Sequence, residues 1–191
     1  MDRRALLQWM VATGGAAALN RLSAQDLVSL GTSAHERAAN APLAGTLTSQ
    51  ELRTVEVLAE CIIPRTDTPG ATDAQVARFV EVMMTDWYPA ADAERFQQGI
   101  AAFEAGVRTR SGRLFADLPP AQQVQLAQQL DWELNEMRDR RDPAAATHWF
   151  AMLKYLTVWG YCTSEVAMRD LFHNIERPMR YDGAAPVGGE A

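Results

Sequence analysis

The side chains that most often carry redox or metal chemistry are few in this sequence and stand apart. It holds three histidines and two cysteines, and neither His148 nor His173 has a second ligand at metal-binding spacing. No Cys-x-x-Cys, His-x-x-x-His or Gly-x-Gly-x-x-Gly pattern occurs. Two cysteines are too few for an iron–sulfur cluster or a covalently attached haem. The sequence therefore predicts no catalytic residue, no metal and no bound cofactor in this chain, and His35, isolated in a polar stretch, is predicted to be solvated.

Two carboxylates flank the most conspicuous turn. Asp67 and Asp73 lie on either side of Pro69-Gly70, a dipeptide typical of turns. Catalysis would need such groups positioned in a shaped site with a partner acid or base. Helix capping and turn formation explain both carboxylates without catalysis, and this structural role is the prediction.

The two cysteines, Cys61 and Cys162, each lie near a predicted helix end, about 100 residues apart. In an oxidising compartment they could form an internal disulfide, Cys162 could bridge to a partner, or both could remain buried thiols. A disulfide closing a loop of that size would contribute roughly 4–5 kcal/mol in the chain-entropy model. Non-reducing mass spectrometry distinguishes the three alternatives.

The loop at residues 64–71 separates two helical patterns. Pro64 is expected to end the first helix, and Thr72, with Gln75 three residues on, is expected to cap the second. Apolar residues then recur at helical spacing. They are Val76, Phe79, Val80, Met83, Met84 and Trp87.

Helical patterns account for most of the remaining chain. We predict helices over 48–62, 72–87 and 91–109, from residue 120, over 143–160, and from 164 to about 173. The first opens with a capping box, Thr48 to Glu51. The helix from 143 is apolar on most sides, so it is either central or covered by another protein. Two inner faces are predicted: Phe96, Ile100, Phe103 and Val107; and Val124, Ala127, Leu130, Leu134 and Met137.

These patterns predict an all-α fold, a bundle of about five to six helices without strands. The helical domain covers 48–176, after a linker at 25–47 that proline and glycine keep irregular, and before an irregular tail at 177–191. A formal charge of -6 without a basic cluster excludes a nucleic-acid-binding surface.

Residues 1–24 have the order of a twin-arginine export signal. Arg3 and Arg4 are followed by one free position and then Leu6 and Leu7. A weakly apolar run at 9–19 is about half the roughly 20 residues of a membrane span, and a cleavage pattern ends at residue 24. The alternative is an amphipathic N-terminal helix, but the order of the parts favours export.

Two motifs and the leader together resemble the gluconate 2-dehydrogenase subunit 3 family. The first motif, here called the loop signature, lies within residues 62–79, and the second, the helix signature, lies within 156–165. The resemblance covers about 46–186 and includes Arg180-Tyr181 near the end; Cys162 and the charged segment 136–142 depart from it. The loop signature reads Ile-Ile-Pro-x-Thr-Asp-x-Pro-Gly-Ala, then Asp-Ala-x-Val and Phe; the helix signature reads Leu-Thr, then Gly-Tyr-x-Thr-Ser-Glu.

The resemblance implies a non-catalytic small subunit of an exported flavin-dependent (GMC-type) sugar or alcohol dehydrogenase. FAD, and iron–sulfur or haem groups, would belong to the partner subunits: a flavoprotein large subunit and a membrane-bound cytochrome c. The complex would lie in the periplasm, peripherally on the outer face of the inner membrane. The residues expected at the partner interface are Arg65, Asp67, Tyr161, Thr163 and Glu165.

Two other functions fit the same sequence. The scaffold could be a structural subunit of a different envelope electron-transfer complex, since a fold does not fix a function. Alternatively, the aromatic residues of the helix from 143 could line the pocket of a free-standing enzyme or ligand-binding protein. Co-purification separates the dehydrogenase subunit from the structural subunit of another complex. Turnover by the isolated chain would support a free-standing enzyme.

Overall fold

The computed structural model describes residues 23–40 and 45–170, which form seven α-helices and no strand. The predicted all-α class is confirmed. The twin-arginine motif and the predicted irregular tail lie outside the described residues. The helices are α1 Ala24–Asn40, α2 Ser49–Ile62, α3 Val76–Val82, α4 Ala90–Ser111, α5 Pro120–Asp139, α6 Trp149–Thr163 and α7 Glu165–Asp170, with a π-helix at Met83–Trp87 and 3-10 turns at Phe115–Asp117 and Pro143–Thr147.

Helix α6 is central. Nearly all its side chains are buried, and it packs against α1, α2, α3, α4 and α5. Lys154 is the one charged residue of the helix; its side chain is only 14% exposed and ion-pairs with Asp131 of α5. Because the helix is enclosed by its own chain, its all-round apolar character needs no partner to explain it.

The predicted limits of this central helix were wrong at both ends. Asp142 caps only the 3-10 turn, and α6 starts at Trp149, where His148 Nδ1 accepts a hydrogen bond from the Phe150 amide. Gly160 does not break the helix. A Cβ there would lie 2.6 Å from the Phe79 ring, so glycine permits α3 to approach instead of ending α6.

The segment predicted as a linker contains helix α1, so that part of the prediction was wrong. Leu27, Ala34 and Ala38 are buried, and with Gly31 they follow a four–three–four spacing. The small size of these residues hid the apolar stripe in the sequence. His35, predicted to be solvated, is half-buried within this helix.

The start and end of the second predicted helix also differ. Residues 71–75 form turns, α3 begins at Val76, and Gln75 adopts a left-handed conformation with φ of 52°, so Thr72 is not a helix cap. A π-helix follows, closed by the Tyr88 amide donating to the Met83 carbonyl at 3.0 Å. This wider turn moves Trp87 out of the predicted stripe, leaving it 50% exposed.

The remaining helices largely confirm the sequence patterns. Thr48 and Glu51 form the predicted capping box. On α4, only Phe103 of the predicted inner face is less than fully buried; on α5, Val124 is exposed and was wrongly placed inside. Buried Glu104 links the helices, since its carboxylate accepts from the Thr54 hydroxyl at 2.5 Å and from the Phe115 amide at 3.3 Å.

Among the described residues, none of the helices combines the length and the apolar character that a bilayer crossing requires.

Candidate docking groove

The two signatures, far apart in the sequence, meet in the structure. The Tyr161 hydroxyl, near the end of α6, donates to the Pro69 carbonyl in the loop at 2.6 Å. Ser164 then caps α7 by accepting from the Ala167 amide at 3.1 Å, which starts the short helix beside the loop. Loop and helix enclose an open groove of about 460 Å³, here called the signature groove. It is lined by Arg65, Thr66, Asp67, Thr68, Pro69, Asp73, Val166, Arg169 and Asp170.

One carboxylate, Glu60, joins the two ends of the loop. Its Oε1 accepts from the Arg65 amide at 2.7 Å and its Oε2 accepts from the Thr72 amide at 2.9 Å. Burial raises the pKa of the Glu60 carboxyl, but the Thr72 and Arg65 donors outweigh burial and leave the pKa below its ordinary value. The charged form is therefore the one that holds the loop.

A second carboxylate fixes the turn itself. Asp73 Oδ2 accepts from the Gly70 amide and from Arg65 Nε, both at 2.8 Å, and Oδ1 pairs with the same guanidinium. Gly70 is required by space: a Cβ would lie 2.5 Å from Glu60 Oε1 and 2.6 Å from the Arg65 backbone nitrogen. The predicted structural role of Asp73 in the turn is thus what the geometry shows.

The groove surface carries side chains of both charge signs, and each arginine is paired with an aspartate. Arg65 pairs with Asp73, and Arg169 pairs with Asp170 through two hydrogen bonds at 2.6 and 3.0 Å. Asp67 accepts from the Thr66 hydroxyl at 2.9 Å and is exposed. Such a surface offers hydrogen bonds and ion pairs to another protein. No cluster of three or more His, Cys, Asp or Glu side chains that could hold a metal ion occurs within residues 23–40 and 45–170.

The five residues predicted at the partner interface differ in their exposure and in their position relative to the groove. Arg65 and Asp67 are exposed in the groove, and Tyr161 is buried against the loop, where burial raises the pKa of its hydroxyl and keeps it a neutral donor. Glu165 is exposed at the first residue of α7 but does not line the groove. The side chain of Thr163 lies against Gly31 of α1.

Cys61 and Cys162 are free thiols in the structure, both half-buried. Burial raises the pKa of the Cys162 thiol to about 12, and burial together with the Glu60 charge raises that of Cys61. A thiol acts as a nucleophile through its thiolate, so neither cysteine is activated for attack at neutral pH.

Three residues that build the groove were missed in the sequence. Glu60 could have been noticed, because a carboxylate in the last turn of a helix opposes the helix dipole and needs a local reason. Arg169 and Asp170 gave no signal, since their position depends on how α7 turns back along the loop.

Fold and site together define an all-helical protein whose polar groups organise a surface groove between two distant sequence motifs. Residues 49–181 match the family described as gluconate 2-dehydrogenase subunit 3, and the chain belongs to that family. This agrees with the resemblance stated from the motifs. Comparison with curated proteins and with solved structures gave no match.

Proposed function

We propose that this protein is the non-catalytic small subunit of an exported flavin-dependent sugar or alcohol dehydrogenase complex. It stabilises the FAD-containing large subunit, and its twin-arginine leader escorts that subunit to the periplasm. A membrane-bound cytochrome c subunit, with haem or iron–sulfur groups held by the partners, completes the complex at the outer face of the inner membrane. The family match supports membership of a dehydrogenase complex; export, partners and location are part of the proposal.

The observation that carries the proposal is the meeting of the two signatures at one groove. Glu60 and Asp73 use their carboxylates to fix a loop whose outer side chains, Arg65 and Asp67, remain accessible. A rigid loop that presents charged groups loses little conformational entropy when it binds. The arrangement thus favours a docking role for the signature groove.

Co-purification tests the proposal. A tagged chain is extracted from membranes with mild detergent, and the bound proteins are identified by mass spectrometry and by flavin absorbance. We expect a flavoprotein dehydrogenase and a cytochrome c. Recovery of the chain alone, while the dehydrogenase is exported normally without it, would contradict the proposal. Recovery with another envelope enzyme would favour the alternative structural role.

A charge reversal tests whether the groove is the docking surface. Asp67→Arg changes an exposed groove residue whose carboxylate accepts only from the neighbouring Thr66 hydroxyl among the hydrogen bonds of the loop. We expect the flavoprotein yield to fall at least about tenfold, because a reversed charge at a contact residue breaks the electrostatic complementarity of an interface. The matched control is Glu94→Arg on the exposed side of α4, which should retain the flavoprotein. Equal yields from the two variants would place the interface elsewhere.

A further inference from the structure

Helix α1 docks on a surface assembled from two distant parts of the chain. Near its start, the Trp159 indole N–H of α6 donates to the Leu27 carbonyl at 3.0 Å. Further along, His35 Nε2 donates to the Gly160 carbonyl at 2.8 Å, and the His35 ring lies 4.8 Å from the Phe79 ring of α3. Both α3 and α6 therefore contribute contacts along the length of α1.

The C-terminal half of α1 is held mainly by the α3 side. Arg78 Nε donates to the Ala38 carbonyl at 3.1 Å, and Arg37 pairs with Asp86 in the π-helix. Since Phe79 is itself pressed against Gly160, the surface for α1 exists only when α3 and α6 are packed together.

Helix α1 binds through close fit more than through apolar area. Its fully buried apolar side chains are Leu27 and two alanines, Ala34 and Ala38, and Leu30 is partly buried against the core. At Gly31 the fit is tightest, because a Cβ would lie 2.6 to 2.7 Å from the Thr163 side-chain atoms. A helix with so little buried apolar surface adds little stabilisation of its own, so we expect it to open before the core unfolds.

The position of α1 in the chain gives this docking a consequence. It directly follows the predicted leader and precedes the residues that match the family, 49–181. The leader is therefore joined to the core through a helix whose binding surface is complete only after the two signature regions have met.

We propose that α1 docks only on the assembled α3–α6 pair, and that this docking makes the leader-bearing precursor competent for export. We call this coupling of docking to export the folding gauge. The twin-arginine route carries folded proteins, and undocking of α1 would expose Phe79 and Trp159, which are fully buried in the folded chain. This inference rests on the proposed export of the protein.

The docking step is tested by hydrogen–deuterium exchange on the full chain. Gly31→Ala should speed exchange of the 24–40 amides at least roughly tenfold while the α6 amides keep their protection. Adding Thr163→Gly removes the clashing atoms and should restore protection. The matched control is Gly106→Ala on α4, where a Cβ meets nothing nearer than 3.5 Å. Unchanged α1 exchange in Gly31→Ala, or equal loss throughout α6, would overturn the gauge.

Export of the same variants completes the test. We expect the Gly31→Ala precursor to remain in the cytoplasm with a folded core, and the Thr163→Gly double variant to be exported. If Gly31→Ala is exported as well as the unaltered chain, the gauge fails but the proposed function stands. If the paired Arg3→Lys and Arg4→Lys change leaves export of the unaltered chain intact, twin-arginine export fails and the gauge fails with it.

Discussion

At the scale of single residues, carboxylates stabilise this protein by accepting hydrogen bonds from other segments of the chain. Glu60 and Asp73 each accept backbone N–H donors in the loop, and Glu104 ties α4 to α2. Glu81 differs from these three: its Oε1 accepts from the Leu47 amide at 3.2 Å, but its buried Oε2 has no partner among the described residues. Removing the charge is therefore expected to lower the stability of the fold at Glu60 and to raise it at Glu81.

We expect Glu60→Gln to destabilise the fold by about 1–3 kcal/mol at pH 7, because one backbone donor would face an amide N–H in place of an oxygen. The pKa of Glu60 is lowered in the fold, so its contribution is present above its ordinary pKa of 4.5 and lost as the pH falls through the folded value. Urea unfolding at pH 7 and pH 3.5 measures both effects. Glu56→Gln, an exposed position one turn earlier on α2, is the control; equal loss in both variants would contradict the prediction.

Glu81→Gln is expected to stabilise the protein at pH 7. Burial, and secondarily the Glu51 charge, raises the pKa of the Glu81 carboxyl. A raised pKa means that the favourable neutral form is fully present below the ordinary value of 4.5 and is lost as the pH rises through the folded value. Glutamine keeps an oxygen for the Leu47 amide without the charge.

Urea midpoints for the Glu81→Gln variant should therefore exceed those of the unaltered chain at pH 7 and converge with them near pH 4. Glu94→Gln, on the exposed side of α4, should show no such pH-dependent gain. A lower midpoint for Glu81→Gln at pH 7 would show that the ionised carboxylate is satisfied in the fold.

At the scale of elements, the π-helix decides which apolar residues enter the core. Met83 and Met84 remain buried, but the wider turn carries Trp87 outward. A π-turn of this kind inserts one residue into an α-helical register, and such turns often occur at functional sites. The register cannot be read from the sequence, because the α-helical spacing alone places Trp87 inside.

We expect Met84→Ala to cost about 2–5 kcal/mol of unfolding free energy, as for other buried large-to-small changes. Trp87→Ala should cost less, about 1–1.5 kcal/mol, because half of the side chain is already exposed. Urea denaturation followed by circular dichroism compares the two variants. Comparable losses would mean that Trp87 packs into the core in solution.

The helical fold was predictable where apolar residues are large and regularly spaced, as on α4. The start of α2 was predictable from a different signal, its polar capping box. It was not predictable where contacts between distant segments override the local pattern. Gly160 signals a break in isolation but allows Phe79 to approach, and α1 is built on alanine and glycine. In the groove, the loop and Tyr161 were predicted from the sequence motifs. The positions of Arg169 and Asp170 could not be predicted, because they depend on how α7 turns back along the loop.

At the scale of the whole molecule, the groove and the exposed tryptophans present different surfaces. The groove is polar and lies where the loop meets α7, whereas Trp132 lies on α5 beside Asp131 and is 61% exposed. An exposed tryptophan is itself a frequent anchor in protein interfaces. The two surfaces therefore make competing and distinguishable predictions for the partner contact.

Protection mapping of the purified complex against the free chain separates them. We expect slower hydrogen exchange in residues 64–70 and 165–170 on complex formation, while oxidative labelling of Trp132 stays within about twofold of its value in the free chain. Strong protection of Trp132 with unchanged exchange in both groove segments would move the interface to α5.

The burial of the Lys154 side chain has a practical outcome. It is the single lysine of the sequence, and with 14% of its side chain accessible it offers almost no primary amine to a reagent. Succinimide ester dyes and cross-linkers should consequently label little beyond the amino terminus, and digestion by trypsin should cut the folded region essentially at arginine alone. Carboxylate-directed or photoreactive cross-linkers are better suited to assemblies that contain this chain. Amine-reactive cross-linkers would fail to detect the chain even where it is bound.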